Sequence, residues 1–105
     1  MAATAKIIIK NIPEDLHTEI NKRVLAANSN MNDVLVGILS RHYRVPFEPT
    51  GRKAARVSNY QDIVLRVPLK LRIKINMQAK SKNSSARTEI LRVFQEEFDR
   101  VAAAA

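Results

Sequence analysis

The stretch IVLRVP, residues 63–68, has the alternation of a β-strand and ends at a proline suited to the first turn of a helix. Asp62 extends this alternation, so residues 62–67 are predicted to form a strand with two different faces. One face carries only the apolar side chains of Ile63, Leu65 and Val67, and the other carries Asp62, Val64 and Arg66. A strand of this kind predicts one buried and one exposed face.

A similar stretch lies near the start of the chain, and the similarity continues beyond it. When the sequence is overlaid on itself at a shift of 55 positions, two copies align without a gap. The matches include Pro13 with Pro68, Leu16 with Leu71, Ile20 with Ile75, Asn28 with Asn83, Leu35 with Ile90 and Leu39 with Phe94. Repetition at a fixed period indicates two copies of one structural unit.

Each copy is predicted to form a strand and two helices. The predicted segments are 5–11, 13–27 and 30–43 in the first copy, and 62–67, a helix opening at 68 and a helix after Ser85 in the second. Asn30 and Ser85 are the predicted N-caps, and Asn28 and Asn83 suit a left-handed helix end. The helical side chains expected to point inward are Leu16, Ile20, Val24, Ala27, Val34, Leu35, Ile38, Leu39, Leu71, Ile75, Ala79, Ile90, Phe94, Phe98 and Val101.

The two copies are expected to depend on each other for stability. One copy of about 40 residues cannot bury enough apolar surface alone, whereas two can bury their apolar faces together. We therefore expect one compact domain, with residues 5–43 as the first copy and 61–101 as the second. Residues 44–60 contain Pro46, Pro49, Gly51 and four basic side chains, which indicates a basic linker of undecided role.

Composition narrows the classes of function. The chain has 18 basic and 10 acidic residues, a net charge of +8, which suits a polyanionic partner such as nucleic acid. It has no cysteine and no apolar run near the ~20 residues that cross a bilayer. His17 and His42 lack metal-ligand spacing, and no serine has a nearby His/Asp constellation. We therefore expect no enzyme activity, metal, cofactor or membrane partner, and the absence of cysteine leaves the compartment open.

The order strand–Pro–helix–turn–Ser–helix resembles the ribbon-helix-helix family, to which the Arc and MetJ repressors belong. The second copy carries this resemblance in IVLRVP and NSSARTEIL, although Asn83 stands where the family usually has glycine. The first copy is similar to the antitoxin branch, whose strands often read I-R-N-L-P; residues 9–13 here read IKNIP. The resemblance implies a mainly α fold with a two-stranded antiparallel β-ribbon, formed as a tandem, intramolecular pseudo-dimer.

The register of the first strand determines which of its side chains face outward. An alignment on the two prolines would turn Lys10 toward the core, which is unfavourable for a charge. A shift by one residue instead places Lys6, Ile8 and Lys10 outside, with an irregularity near Asn11. We expect this second register, because a slip of one residue exchanges the two faces of a strand.

The resemblance also implies a function, since in that family the ribbon enters the DNA major groove. It implies a sequence-specific regulator, most simply a repressor, that binds double-stranded DNA in a bacterium, phage or plasmid. The expected location is accordingly cytoplasmic and nucleoid-associated, or the host cytoplasm if a phage encodes the protein. Base edges would be read by the outward ribbon residues Lys6, Ile8, Lys10, Asp62, Val64 and Arg66, with Asp62 either accepting from cytosine or bonding locally. Phosphates would be bound at the starts of the second helices by Asn30, Met31, Asn32, Ser85, Ala86 and Arg87.

Several alternatives stay open at this point. Because the two strands differ, one chain should read two different half-sites. The chain could also be an antitoxin that binds a partner toxin, or a protein-interaction module that uses the exposed Ile8 and Val64. A partner protein is not otherwise indicated. The sequence does not decide between intramolecular pairing, strand exchange between chains and further self-association on DNA, and it does not identify the operator or an effector.

Overall fold

Two strands and four helices make up the part of the chain that the computed structural model describes, residues 4–49, 51 and 62–104. The elements are β1 (Thr4–Ile9), α1 (Glu14–Ala27), α2 (Met31–Tyr43), β2 (Ile63–Pro68), α3 (Leu69–Ser81) and α4 (Ala86–Ala104). This region is mainly helical with one two-stranded antiparallel sheet, and the predicted order of strand, helix and helix occurs twice. Most of the predicted linker, at 50 and 52–60, lies outside the described residues.

The register of the sheet is the shifted one that the sequence favoured. Strand β1 pairs with β2 so that Lys6 lies opposite Arg66 and Ile8 lies opposite Val64. These four side chains are exposed, whereas the alternate pair of Ile9 with Ile63 is buried. The apolar face of the ribbon therefore covers the core, and its mixed face points to solvent.

The predicted irregularity after the first strand is present at Asn11. Its φ of 54° places the residue in the left-handed region, where asparagine is better tolerated than most side chains. Its backbone N–H donates to the Asp62 carboxylate, with an N–Oδ1 distance of 3.0 Å. The chain then returns to the interior at Ile12, which is 1% exposed. In a regular strand Lys10 and Ile12 would point to the same face. The turn at Asn11 allows Lys10 to face solvent while Ile12 is buried.

The turn between the two helices of each copy follows the prediction. Asn28 and Asn83 both adopt left-handed backbone conformations, with φ of 50° and 51°. The Asn30 side chain accepts a 2.8 Å hydrogen bond from the backbone N–H of Asp33, and thereby caps α2. The Ser85 hydroxyl accepts a 3.1 Å bond from the backbone N–H of Thr88, and thereby caps α4.

Apolar side chains from both halves of the chain form one buried cluster. The predicted inward residues Val34 and Val101 are only half-buried. The prediction for Ala27 was wrong: this side chain is exposed, because it ends α1 where the backbone turns toward α2. The buried cluster includes Ile9, Ile12, Leu16, Ile20, Val24, Leu35, Ile38, Leu39, Leu65, Leu71, Ile75, Ile90, Phe94 and Phe98.

The first residues of the predicted linker pack against the domain. Val45 is 6% exposed and belongs to the core, and Phe47 packs against the same cluster. The backbone N–H of Gly51 donates to the Asp33 carboxylate at 3.0 Å. None of the described helices has both the length and the apolar character needed to cross a membrane.

Candidate nucleic-acid interface

The outward face of the ribbon presents two cations directly opposite each other. Lys6 and Arg66 are cross-strand partners and both are exposed. The Arg66 N–H bonds to Asn32 and not to β1, so this is a non-hydrogen-bonded pair, the kind whose side chains approach more closely. Like charges in such positions destabilise a ribbon. Among the described residues, no ion pair links either cation to an acid.

Next to this pair lie two exposed aliphatic side chains. Ile8 and Val64 are opposite each other, and they are 49% and 50% exposed. The backbone pairing of the two strands would equally accommodate polar side chains at these positions. Burial does not explain why the residues are apolar, because both side chains are half-exposed. The outer face thus alternates a cationic pair with an apolar pair, which is a surface that can meet both acceptor atoms and methyl groups.

The remaining predicted base-reading residues, Lys10 and Asp62, follow the last pair of the ladder, Ile9 with Ile63. Both are exposed. One oxygen of Asp62 already accepts the Asn11 N–H, so the local bond allowed by the sequence is present. Asp62 therefore holds the turn after β1, and its second oxygen is the atom left to face a ligand.

The start of α2 lies against the outer edge of β2. The Asn32 side-chain oxygen accepts a 2.7 Å hydrogen bond from the backbone N–H of Arg66. Met31 is half-buried and packs on the core, so its backbone, and not its side chain, is the part suited to an anion. The Asp33 carboxylate is 9% exposed and accepts from the Asn30 side chain at 2.9 Å, which adds a negative charge in the first turn of the helix.

The start of α4 holds the end of β1 in the corresponding way. The Arg87 guanidinium donates to the Lys10 carbonyl through Nε and to the Asn11 carbonyl through Nη2, both at 2.6 Å. Position 87 is the repeat equivalent of Asn32, so both copies use the second residue of this helix to tie it to the ribbon. Ser85 is exposed and Ala86 is half-buried. Arg87 thus has a structural role in attaching α4 to the end of β1. Its contact with a DNA phosphate remains a prediction.

One buried polar cluster was missed by the sequence reasoning. The Glu89 side chain of α4 is 1% exposed, and its Oε1 accepts from Tyr43 Oη at 2.8 Å, Arg92 Nη2 at 2.6 Å and Lys82 Nζ at 3.3 Å. Tyr43 belongs to the first copy and the other three belong to the second. In the sequence, Glu89 appears only as an acid in the first turn of a helix, and its repeat equivalent is Val34.

The ionisation of this cluster follows from its contacts. Burial raises the pKa of Glu89, but hydrogen bonds from Arg92, Tyr43 and Lys82 outweigh burial and hold the pKa below its ordinary value. Burial and the adjoining carboxylate raise the pKa of Tyr43 well above its ordinary value. Glu89 is therefore ionised and Tyr43 protonated at neutral pH, as their hydrogen bond requires.

No family model, curated protein or solved structure matches the chain. The ribbon-helix-helix resemblance thus rests on the residues and their arrangement, and membership of that family stays a prediction.

Proposed function

We propose that the chain is a sequence-specific, double-stranded DNA-binding regulator built as a tandem ribbon-helix-helix pseudo-dimer. The observation that carries this proposal is the exposed Lys6–Arg66 pair on the outer face of an antiparallel ribbon. A like-charge pair is unfavourable for the isolated protein, and an anionic partner would relieve the repulsion. A two-stranded ribbon also fits the width of the major groove.

The proposed base contacts follow from the chemistry of the outer face. Lysine and arginine favour the N7 and O6 acceptors of guanine, and aliphatic side chains favour the methyl group of thymine. Lys6, Lys10 and Arg66 would take the first role, and Ile8 and Val64 the second. The alternation of the two pairs would therefore discriminate between neighbouring base pairs.

The proposed phosphate contacts lie at the starts of α2 and α4. Free backbone N–H groups at a helix start bind anions, and the net charge of +8 adds sequence-independent attraction. The bonds from Asn32 and Arg87 to the ribbon fix the distance between these helix starts and the outer face. Occupation of the groove would exclude other proteins from it, so repression is the simplest regulatory outcome.

The proposal is tested by selecting bound sequences from random duplexes and then comparing two variants on the selected and an unrelated duplex. Arg66→Ala should lower the preference for the selected duplex by about 5- to 150-fold, because a base contact contributes ~1–3 kcal/mol of discrimination. Ser85→Ala should weaken binding to both duplexes by a similar factor. Equal loss of preference in both variants, or no enrichment at ~50 mM salt where electrostatic attraction is strong, would refute the assignment.

A second candidate function is protein binding through α3, and a specific surface favours it. Leu69, Ile73 and Met77 form a stripe on α3 and are 41%, 49% and 65% exposed. The repeat equivalents on α1 are polar, namely Glu14, Thr18 and Lys22, so the fold does not require apolar residues there. A single contiguous apolar stripe of this kind is typical of a contact surface.

The charge around this stripe identifies the kind of protein it would bind. Helix α3 carries four basic residues, Lys70, Arg72, Lys74 and Lys80, and no acidic one. The complementary surface is an amphipathic segment with acidic flanks, as on a toxin or another regulatory partner. DNA binding that is absent at ~50 mM salt, together with binding of an acidic amphipathic peptide that Ile73→Asp abolishes, would favour this second function.

A further inference from the structure

We propose that the protein binds its DNA in one orientation only, with the Lys6–Arg66 end of the ribbon on one half-site and the Lys10–Asp62 end on the other. This inference rests on the proposed function and deepens it. The difference between the two strands predicts only that the half-sites differ. The sheet register also indicates which bases each half-site should contain.

The sheet register defines the two ends. The Ile8–Val64 pair has two neighbours on the outer face, one on each side. On one side lies the Lys6–Arg66 pair, and on the other lie Lys10 and Asp62, just past the last ladder pair. A homodimer would place the same residues at both ends, because its two-fold axis runs through the central pair.

The two ends carry different charges. The first has two exposed cations, and the second has one exposed cation and one exposed carboxylate. The first end therefore suits a half-site rich in guanine acceptors. At the second end, the carboxylate can accept only from a donor such as the cytosine amino group, and it repels phosphate. Exchange of the half-sites would bring Asp62 to acceptor atoms, which is unfavourable.

The helix starts are also assigned to ends by their contacts. Asn32 bonds to the Arg66 backbone, so the start of α2 belongs to the Lys6–Arg66 end. Arg87 bonds to the Lys10 carbonyl, so the start of α4 belongs to the other end. The first turn of α2 contains the acidic Asp33, and the first turn of α4 contains the acidic Glu89 as well as the basic Arg87.

The two ends of the ribbon thus differ in the residues that would contact DNA. Each end therefore has its own base-directed side chains and its own helix start, and the chemical difference between the ends lies in the base-directed side chains. This difference opposes a reversed complex, since reversal would exchange the preferred base contacts at each end, whereas phosphate contacts carry no sequence information.

The absence of cysteine allows a direct test with the full chain. Ala26→Cys and Ser81→Cys introduce one thiol each, at exposed, repeat-equivalent positions in the last turns of α1 and α3. Each variant is coupled to an iron–EDTA cleavage reagent, and binding of the labelled protein is checked against the wild type. The labelled proteins then cleave an end-labelled duplex obtained by selection from random sequences.

We expect the two positions to cleave opposite flanks of the site, each with at least about five-fold preference. The flank cleaved from position 26 should be the one whose bases lose their preference in Arg66→Ala. A palindromic selected site, or equal cleavage of both flanks from each position, would overturn the single orientation while leaving the DNA-binding function intact. If selection enriches no sequence at all, the proposed function fails, and this inference fails with it.

Discussion

At the residue scale, a carboxylate joins the two copies at a place where the repeat pattern predicts an apolar contact. Glu89 is buried and bonded to Tyr43, which lies 46 positions away in the sequence. Burying a carboxylate is unfavourable unless the charge is paired, and here two cations and a phenol share one oxygen. The cluster thus stabilises the folded chain only while all partners are present.

Glu89→Gln should lower the free energy of unfolding by about 1–3 kcal/mol, because Lys82 and Arg92 lose their common anion while the side chain keeps its shape. Chemical denaturation at neutral pH measures this loss. Glu96→Gln is the matched control, since Glu96 pairs with the same Arg92 but is 54% exposed, and its effect should stay within about 0.5 kcal/mol. Equal effects in the two variants would show that burial of Glu89 adds nothing.

The same carboxylate predicts a dependence of stability on acid. The pKa of Glu89 is lower in the folded protein than the ordinary value of 4.5, so the unfolded chain takes up the proton first as the pH falls. The contribution of Glu89 is complete above that value and is lost progressively below it. The difference in unfolding free energy between wild type and Glu89→Gln should therefore be constant from about pH 7 to 5 and shrink below about 4.5. A difference that stays unchanged as the pH falls below about 4.5 would contradict the assignment.

At the element scale, the first strand depends on the turn at Asn11. The left-handed conformation there allows Lys10 to stay outside while Ile12 enters the core. Alanine is less stable than asparagine in this region of backbone space, because its side chain offers no local hydrogen bond. The turn is thus the element that sets the register of β1.

Asn11→Ala should destabilise the protein by about 1 kcal/mol, whereas Asn11→Gly should be neutral or slightly stabilising. Asn76→Ala is a suitable control, because Asn76 is exposed inside α3 and alanine is the better helix former. Thermal unfolding of the three variants distinguishes these effects. If Asn11→Ala and Asn76→Ala behave alike, the backbone conformation at position 11 does not stabilise the ribbon.

Features of the fold that depend on nearby residues could be predicted from the sequence, whereas contacts between distant residues could not. The caps at Asn30 and Ser85 and the turns at Asn28 and Asn83 were predicted correctly, because their partners lie within a few residues. The strand register was also predictable, since one of two choices buried a lysine. The contacts of Arg87, which reach 76 and 77 positions along the chain, could not be predicted from local spacing.

At the scale of the whole molecule, the two copies share one core within a single chain. If pairing of β1 with β2 is intramolecular, the effective concentration of one copy for the other is in the ~mM range whatever the protein concentration. The denaturation midpoint should therefore be unchanged over about a hundred-fold range of protein concentration. A midpoint that rises with concentration would indicate strand exchange between chains.

The central claim is that the outer face of the ribbon reads DNA bases through its paired cations. The most direct measurement compares Lys6→Ala/Arg66→Ala with Lys22→Ala/Arg72→Ala, which removes the same charge from exposed positions on α1 and α3. Each protein is titrated with the selected and an unrelated duplex at one salt concentration. We predict that the first variant binds both duplexes almost equally, while the second keeps the wild-type ratio of affinities. Retention of that ratio by both variants, or its loss from both, would contradict the claim.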